Sequence, residues 1–373
     1  MSLRYCLSRV HGRGAGLGNE LVPWARAHLM AQVLGAKALP PAFGLNPRRY
    51  GRHFGTATYD WLHHRALTHT LPVIEFNEAD FYAHGGGDVL DAFRRFAGAQ
   101  RLSERKAFVI LTDGMWGGYR HVAAAHRFVI STLQASRYAE RNLRTIARRL
   151  DPARRTVGMH VRLGDFAAPR EPQAYRGQFN ISIPIEWYCR VASSLVEELG
   201  DTVQFLIASD GTAEQLRPMT EQFRCVLTTD IPESDCSDLL ALAHADLLVC
   251  SVSSFSAWAA ALSRSPYLWF EPSLHRHEEG FYSIWGHEAR QRCDGGETRR
   301  ALQSWQQRPF LRPRGWPVPM SGEVAHEAMA TLRDRHLPRW ATHTAADLVH
   351  YGVVPAPPHV SLSARALQEA ACT

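Results

Sequence analysis

Short apolar runs alternate with amphipathic segments between residues 156 and 270, and this alternation constrains the fold more than any other feature of the chain. The apolar runs predict strands at 156–161, 203–208, 225–229, 247–252 and 267–270. The segments between them predict helices at 185–199, 213–223, 238–245 and 255–262. Repeated β-α units of this length favour a parallel sheet with helices on both faces. Such sheets bind ligands at the carboxyl ends of their strands.

The amino-terminal part of the chain contains further elements of the same kind. They are strands at 4–10, 71–76 and 107–112, and helices at 21–33 and 132–150. Residues 40–70 are rich in Pro, Arg and His and have poor periodicity, so we predict a loop region there.

The polar, proline-containing segment 151–155 follows a predicted helix and predicts a domain boundary. We therefore expect an α/β protein with an amino-terminal domain at 1–150 and a second domain at 151–290, facing each other across a cleft. The extension at 291–373 is rich in Arg, Trp, Pro and His, and we expect it to pack on the two domains. A helix is predicted within it at 323–336.

Composition narrows the class of protein. The 373 residues are 45% hydrophobic and 21% charged, as in ordinary globular proteins. The seven cysteines show neither CxxC nor zinc spacing, so we expect free thiols in a reducing compartment. We find neither a signal peptide nor a membrane span and predict a cytoplasmic enzyme. Among the basic residues only Lys37 and Lys106 are lysines, a bias typical of a GC-rich bacterial genome.

The formal charge of +6 is compatible with a nucleic acid or with a small polyanion such as a nucleotide diphosphate. No basic motif interleaved with aromatic residues is present, so we do not expect nucleic-acid binding.

The segment 160–165 follows a predicted strand, and strand alternation places His160 and Arg162 on one face. An arginine at this position can form two parallel hydrogen bonds to a phosphate. The alternative is a salt bridge between Arg162 and Asp165 that closes a loop. Asp210, at the end of the next strand, is expected either to bind a ribose or base or to cap the following helix.

Two other segments suit phosphate binding. The first is the serine-rich segment 251–256, where Ser253, Ser254 and the amides of a helix N-terminus can bind oxygens; the alternative is an ordinary serine N-cap. The second is the glycine-rich turn around Gly16 and Gly18, which permits close approach of the backbone to a ligand. Its spacing departs from GxGxxG, so it is weak evidence for a nicotinamide or flavin cofactor.

In their order and spacing these motifs resemble those of the fucosyltransferase superfamily. The similar members are bacterial α1,2-fucosyltransferases, α1,6-fucosyltransferases and protein O-fucosyltransferases. The resemblance covers 14–21 and, more continuously, 156–264. It implies a GT-B fold with two Rossmann-like domains, GDP-fucose as donor, inversion at the anomeric carbon and no metal or other cofactor.

The resemblance also implies roles for individual residues. Arg162 would hold the β-phosphate and assist departure of the leaving group, His160 would contact GDP, and Asp238 would recognise guanine or ribose. The remaining residues implied in GDP-sugar binding are Gly16, Gly18, Asn19, Asp210, Ser253, Ser254 and Phe255. The chain departs from the family pattern at Leu163, where a second arginine is usual, at Glu20, where glutamine is usual, and at Ala15, where a first glycine is usual.

A carboxylate is needed to take the proton of the attacking acceptor hydroxyl. The candidates are Glu171, which falls in a loop where the α1,6 enzymes carry a glutamate, then Asp165 and Glu20. The acceptor is expected to be a glycan or another glycosylated molecule, and the loop region 40–70 is expected to contact it. The alternatives are a transferase that uses another GDP-sugar and a non-catalytic GDP-sugar-binding protein.

Overall fold

The computed structural model describes most of the chain up to residue 276 and short parts of the tail. The described residues are 3–9, 15–43, 46–55, 58–85, 89–116, 122–164, 166, 175, 181–263, 265–276, 282–283, 315–333, 348–349 and 352–353. Contacts within the chain divide it into two units, Met1–Glu140 and Arg141–Thr373.

The first unit contains a four-stranded parallel sheet with the order β2-β1-β4-β3. Its strands are β1 Leu3–Ser8, β2 Lys37–Ala38, β3 Val73–Glu75 and β4 Ala107–Thr112. Strand β1 pairs with β4 along its whole length, from Leu3 opposite Ala107 to Ser8 opposite Thr112. These two strands are central because their apolar side chains are buried, as Leu7 and Val109 show.

The helices of this unit are α1 Leu17–Leu34, α2 Gly51–Phe54, α3 Thr58–Thr70, α4 Glu78–Ala83, α5 Val89–Ala99 and α6 His126–Gln134. Helix α1 ends at Gly35, whose φ of 58° lies in the left-handed region that glycine adopts without strain. The prediction of a loop region at 40–70 is wrong, because α2 and α3 occupy most of it. Leu67 and Leu71 pack against the cluster of Leu7, Leu39 and Val109, and this packing stabilises a helix that lacks an apolar stripe.

The single helix predicted at 132–150 is also wrong, because α6 ends at Gln134 and α7 spans Ala139–Arg149. In the turn between them, the amide of Arg137 donates to the carbonyl of His53 at 3.1 Å. The ring Nδ1 of His53 lies 2.9 Å from Ser136 Oγ. These non-local bonds replace the intrahelical bonds that a continuous helix would make.

The second unit contains a six-stranded parallel sheet with the order β12-β9-β8-β5-β6-β7. Its strands are β5 Arg155–Val161, β6 Val203–Ser209, β7 Cys225–Leu227, β8 Leu247–Val249, β9 Tyr267–Phe270 and β12 Gly315–Val318. From β5 the chain adds strands on one side as far as β7 and then returns to add β8, β9 and β12 on the other. This is the doubly wound Rossmann order, and its topological switch point lies between β5 and β8. The α/β prediction with two parallel sheets is confirmed.

The helices of the second unit follow its strands, as the alternation predicted. They are α7, apart from its first residues, and α8 Ile185–Leu199, α9 Ala213–Gln222, α10 Asp235–His244, α11 Ser254–Leu262 and α12 His326–Arg333. The close packing of α10 on β5 requires a glycine at Gly158, because a β-carbon there would lie 2.9 Å from Ala245 Cβ and 3.1 Å from Leu242 Cδ2.

The last part of α7 lies with the second unit, where Ile146 packs with Leu206, Ile231 and Ala241. The boundary between the units therefore precedes the predicted segment 151–155. The tail supplies strand β12, which the sequence did not predict, and the helix predicted at 323–336 is α12.

A small antiparallel sheet of two-residue strands has the order β10-β11-β14-β13. Its strands are β10 His275–Arg276, β11 Tyr282–Ser283, β13 Leu348–Val349 and β14 Gly352–Val353. None of the helices within the described ranges has the length and apolar character needed to cross a membrane.

Candidate functional site

Polar side chains gather at the carboxyl ends of four neighbouring strands of the second unit. His160 and Arg162 lie at the end of β5, Asp210 follows β6, Asp238 follows β7, and the serine-rich segment 251–256 follows β8. These strands flank the topological switch point, where loops diverge and leave a crevice for a ligand. The predicted residues at these four strand ends are therefore brought to one edge of one sheet.

His160 is buried and bridges the switch point through hydroxyl groups. Its Nδ1 lies 2.8 Å from Ser256 Oγ and 2.8 Å from Ser251 Oγ, both beyond the end of β8. Burial, with a smaller contribution from the charge of Arg162, lowers the pKa of His160 to about 3. The ring is therefore neutral at physiological pH. In the tautomer whose Nδ1 accepts from a serine hydroxyl, the ring proton resides on Nε2, and Nε2 is then a hydrogen-bond donor.

Phe255 covers one side of this ring, with the two ring centroids 4.8 Å apart. The Tyr188 hydroxyl donates to the carbonyl of His160 at 3.1 Å. Side chain and backbone of His160 are thus both held in place, so its orientation is set before any ligand binds.

Arg162 forms an ion pair with Asp210; the alternative salt bridge to Asp165 falls on a residue outside those that the structure describes. Its Nη1 lies 2.7 Å from Asp210 Oδ2, and its side chain is 17% exposed. Asp210 Oδ1 accepts the amide proton of Leu163 at 2.9 Å, so one carboxylate fixes both the guanidinium and the loop that carries it. The guanidinium carbon lies 4.9 Å from the centre of the Phe166 ring. An arginine oriented this way keeps its charge at the sheet edge, where a phosphate can approach it.

Two glycines let the loops after β5 and β6 lie against each other. A β-carbon at Gly164 would lie 2.9 Å from Asp210 Cγ, and one at Gly211 would lie 2.6 Å from Leu163 Cδ1. The prediction that Asp210 caps the following helix is wrong. Thr212 caps α9 by accepting from the amide of Gln215.

Asp238 lies in the first turn of α10 and is 7% exposed. Ser234 Oγ donates to its Oδ2 at 2.7 Å, while its Oδ1 has no hydrogen-bond partner among the described residues. Burial raises the pKa of Asp238 to about 7, against the opposing effects of hydrogen bonds from Ser234 and Thr228. A buried carboxylate oxygen without a partner is unfavourable in isolation, and a ligand that donates hydrogen bonds to it would remove that cost.

Ser253 is the N-cap of α11, as one of the two interpretations expected. Its Oγ accepts from the amides of Phe255 at 3.1 Å and Ser256 at 3.4 Å. The hydroxyl proton of Ser253 is not used by these two bonds, so capping is compatible with donation to a phosphate oxygen. Ser254 is the first residue of the helix.

The glycine-rich turn belongs to the first unit. Gly16 is the N-cap of α1, and a β-carbon there would meet nothing within 4 Å. Gly18, Asn19 and Glu20 lie in the first turn of this helix. Glu20 is only 1% exposed, which does not favour it as a base that touches an acceptor. The contact of Gly16, Gly18 and Asn19 with a donor stays a prediction.

Two of the three candidate bases, Asp165 and Glu171, lie outside the described residues. The sequence did not identify three serines that hold the predicted residues. Ser251 and Ser256 contact His160, and Ser234 donates to Asp238. The available signal was the density of serines in 251–256, although serine density alone does not show which hydroxyl faces the histidine.

Within the described ranges, no group of three His, Cys, Asp or Glu side chains is placed to hold a metal ion. The groups that are present can bind an anion through Arg162 and His160, and hydrogen-bond donors through Asp238. This combination suits a phosphate attached to a nucleoside.

Comparison with known proteins gives no match to a protein-family model and no significant match to a curated protein. Several solved structures are similar. A structure of POFUT1 in complex with GDP has a TM-score of 0.45 and 13% identity, and the match covers 72% of this chain and 98% of that one. A structure of NodZ alpha-1,6-fucosyltransferase soaked with GDP-fucose has a TM-score of 0.42 and 14% identity, and the match covers 70% of this chain and 93% of that one.

Fucosyltransferase NodZ from Bradyrhizobium gives a TM-score of 0.41 and 14% identity, with coverage of 69% of this chain and 93% of that one. The similar structures thus include fucosyltransferases, the class that the sequence motifs resemble. The α/β fold of this chain is established by its own strand order.

Proposed function

We propose that this chain is an inverting glycosyltransferase that moves fucose from GDP-fucose to a hydroxyl of a glycan or another glycosylated acceptor. The observation that carries the proposal is the pair His160 and Arg162 at the topological switch point of a Rossmann-type sheet. In sheets of this order the switch point is where nucleotide ligands bind. The motif resemblance supplies the identity of the nucleotide and of the sugar.

In this mechanism Arg162 binds the β-phosphate and neutralises the charge that develops as GDP departs. Charge stabilisation of this kind is commonly the largest catalytic contribution, about 3–4 kcal/mol for a single donor. Asp210 acts through Arg162 by holding its guanidinium at 2.7 Å. His160, neutral and held by Ser251 and Ser256, donates from Nε2 to GDP, and the Ser253 and Ser254 hydroxyls donate to diphosphate oxygens.

Asp238 supplies recognition of the base in this scheme. An ionised carboxylate can accept two hydrogen bonds from the edge of guanine that carries N1–H and the amino group. The burial that raises the pKa of Asp238 is offset by these donors, because hydrogen bonding to the charged form favours ionisation. Adenine lacks this pair of donors, so the same carboxylate would favour GDP over ADP.

The transfer itself is a single displacement at the anomeric carbon. The acceptor oxygen forms the new bond on the face opposite the diphosphate while the bond from carbon to phosphate oxygen breaks, and GDP leaves with that electron pair. The hydroxyl proton passes to a carboxylate, for which Glu171 is the first candidate, followed by Asp165 and Glu20. No metal ion is needed in this scheme, because Arg162 supplies the positive charge at the leaving group.

Calorimetric titration with GDP in the presence of a chelator tests the donor site. We expect saturable binding by the wild-type chain, and a loss of at least about tenfold in affinity for Arg162→Gln. The matched control is Arg217→Gln, which removes an exposed arginine that pairs with Glu214 and Glu221 on α9. Equal affinity of Arg162→Gln and Arg217→Gln for GDP would contradict the proposal.

A second candidate keeps the site and changes the sugar. It is favoured by Leu163, which stands where the resembling enzymes carry a second arginine. Mass spectrometry of reactions with a panel of GDP-sugars distinguishes the two, since turnover of another GDP-sugar in preference to GDP-fucose would select the second candidate. A chain that binds GDP but turns over no GDP-sugar would be a binding protein.

A further inference from the structure

The positive charge of the chain is concentrated in its first unit. Residues 1–140 contain 17 Lys and Arg against 10 Asp and Glu, whereas residues 141–373 contain 25 against 26. The excess of the first unit therefore accounts for the whole formal charge of +6. A donor site in the second unit does not explain this distribution, because the diphosphate would be held there by Arg162 and its neighbours.

Three of these arginines lie in one turn of the first unit. Arg48, Arg49 and Arg52 are all exposed, and Arg52 lies in the short helix α2. Arg49 has a φ of 59°, a left-handed conformation that is rare for a residue with a side chain. The turn is held locally because Asn46 accepts from the amide of Arg48 at 2.9 Å through its side chain and from the amide of Arg49 at 2.8 Å through its carbonyl.

This arginine turn, residues 46–52, is attached to the glycine-rich turn at the start of α1. Asn46 Nδ2 donates to the carbonyl of Ala15 at 3.3 Å, and the amide of Leu17 donates to the Tyr50 hydroxyl at 2.9 Å. Asn46 and Tyr50 are both buried. Two buried side chains thus fix the exposed arginines beside the carboxyl end of β1, the edge at which parallel sheets bind ligands.

We propose that the acceptor is an anionic saccharide and that the arginine turn binds its acidic group. Guanidinium groups form paired, charge-assisted hydrogen bonds with carboxylates and phosphates, and a rigid turn holds them without losing much side-chain freedom on binding. The acceptors that this turn would recognise share one feature, a carboxylate or a phosphate close to the hydroxyl that accepts the sugar. Tyr50, the aromatic side chain between the arginines, is buried and offers no stacking surface for a nucleobase.

This inference rests on the proposed transferase function, since it identifies the substrate class of the same reaction. The glycine-rich turn to which the arginines are attached is the part of the first unit that the motif resemblance assigns to the donor.

The experiment compares matched acceptors and matched variants of the full chain. The acceptors are a glucuronate-containing tetrasaccharide, the same tetrasaccharide with glucose in place of glucuronate, and a phosphorylated form of the latter. The variant is Arg48→Gln/Arg49→Gly/Arg52→Gln, in which glycine preserves the left-handed backbone at position 49. The control is Arg101→Gly, which removes an exposed arginine with a φ of 49° at the amino end of β4.

We expect KM for the charged acceptors to rise at least about tenfold in the triple variant, with kcat and GDP-fucose hydrolysis unchanged. The control should match the wild type, and Arg49→Lys should retain part of the preference for charged acceptors. Glucuronate and phosphate forms are ranked by the wild-type KM. Circular dichroism on both variants establishes that they fold.

The inference is overturned if the wild type has the same KM for charged and neutral acceptors, or if the triple variant and the control have the same KM for the charged acceptors. If the wild-type chain still hydrolyses GDP-fucose in that case, the proposed transferase function is unaffected. Direct binding of the labelled glucuronate tetrasaccharide, measured without donor, gives an independent readout. Absence of GDP binding and hydrolysis would overturn the proposed function, and with it the assignment of the arginine turn to an acceptor. Tighter binding of single-stranded RNA than of the tetrasaccharide would show that the arginines serve another ligand.

Discussion

Asp238→Asn tests the environment of the carboxylate on which base recognition depends. The wild-type side chain is buried, receives a hydrogen bond from Ser234, and has an Oδ1 without a partner among the described residues. Asparagine has nearly the same shape and carries no charge at any pH. The substitution therefore removes the ionisation of Asp238 with little change in packing.

The expected change in the free energy of unfolding follows from the pKa of Asp238, which burial raises from 3.8 to about 7. A difference of about three pKa units corresponds to about 4 kcal/mol. In the unfolded chain this carboxyl group ionises near pH 4, whereas in the folded chain it resists ionisation until about pH 7. Folding stability from this group is thus greatest below pH 4, falls as pH rises towards 7, and is lost above it.

Urea unfolding of both proteins at pH 4.5 and pH 8, without GDP, measures the effect. We expect Asp238→Asn to be close to the wild type at pH 4.5 and more stable by up to about 4 kcal/mol at pH 8. The control Asp201→Asn, at an exposed position of the same unit, should show no such change with pH. A stability difference between Asp238→Asn and wild type that is the same at both pH values would refute the reasoning.

Three further changes probe other parts of the account. His160, whose pKa is lowered to about 3, is neutral when folded but takes up a proton in the unfolded chain below pH 6.5, so its own contribution to stability falls as pH falls below that value. In urea titrations between pH 7 and pH 4, His160→Gln should therefore gain stability relative to the wild type as pH falls. Gly158→Ala places a β-carbon 2.9 Å from Ala245 Cβ and should reduce the free energy of unfolding by about 1–3 kcal/mol, measured the same way. Arg26→Met removes a buried guanidinium that donates to Thr112 Oγ1 at 2.9 Å and to the carbonyl of Trp116 at 2.8 Å, and should lower Tm in calorimetry through a loss of roughly 3 kcal/mol.

Strands β5, β6, β8 and β9 were predictable because they are mostly buried and read as short apolar runs. Strand β12, Gly315–Val318, was not. It contains Pro317, which a central strand does not tolerate, and among the described strands it pairs only with β9, at the edge of the sheet. Its partner lies far away in the sequence, so no local pattern marks it as a strand.

Helix α3 was missed for a related reason. Its sequence is polar and rich in histidine, and the periodicity of an amphipathic helix is absent. Its stability comes from Leu67 and Leu71 packing on the sheet of the first unit. The break between α6 and α7 likewise depends on the bond from Arg137 to His53, which no pattern between 132 and 150 encodes.

At the candidate site, the sequence predicted which polar residues follow the strands, but not which of their side chains contact each other. The register of β5 and β6, with Val161 opposite Ser209, brings Arg162 beside Asp210. The sequence does not establish this register, so it did not identify Asp210 as a partner of Arg162. The two hydroxyls that contact His160 are unpredictable in the same way, because Ser251 and Ser256 follow β8, a strand that the chain adds after crossing the switch point.

The central claim is that Arg162 at the switch point supports departure of GDP from GDP-fucose without a metal ion. The most direct measurement is the release of GDP from GDP-fucose by the wild-type chain and by Arg162→Ala, with a chelator present throughout. We expect turnover by the wild type and a decrease in kcat of about 100-fold or more in a folded Arg162→Ala variant. Wild-type turnover that disappears on chelation, or an Arg162→Ala variant with full activity, would contradict it.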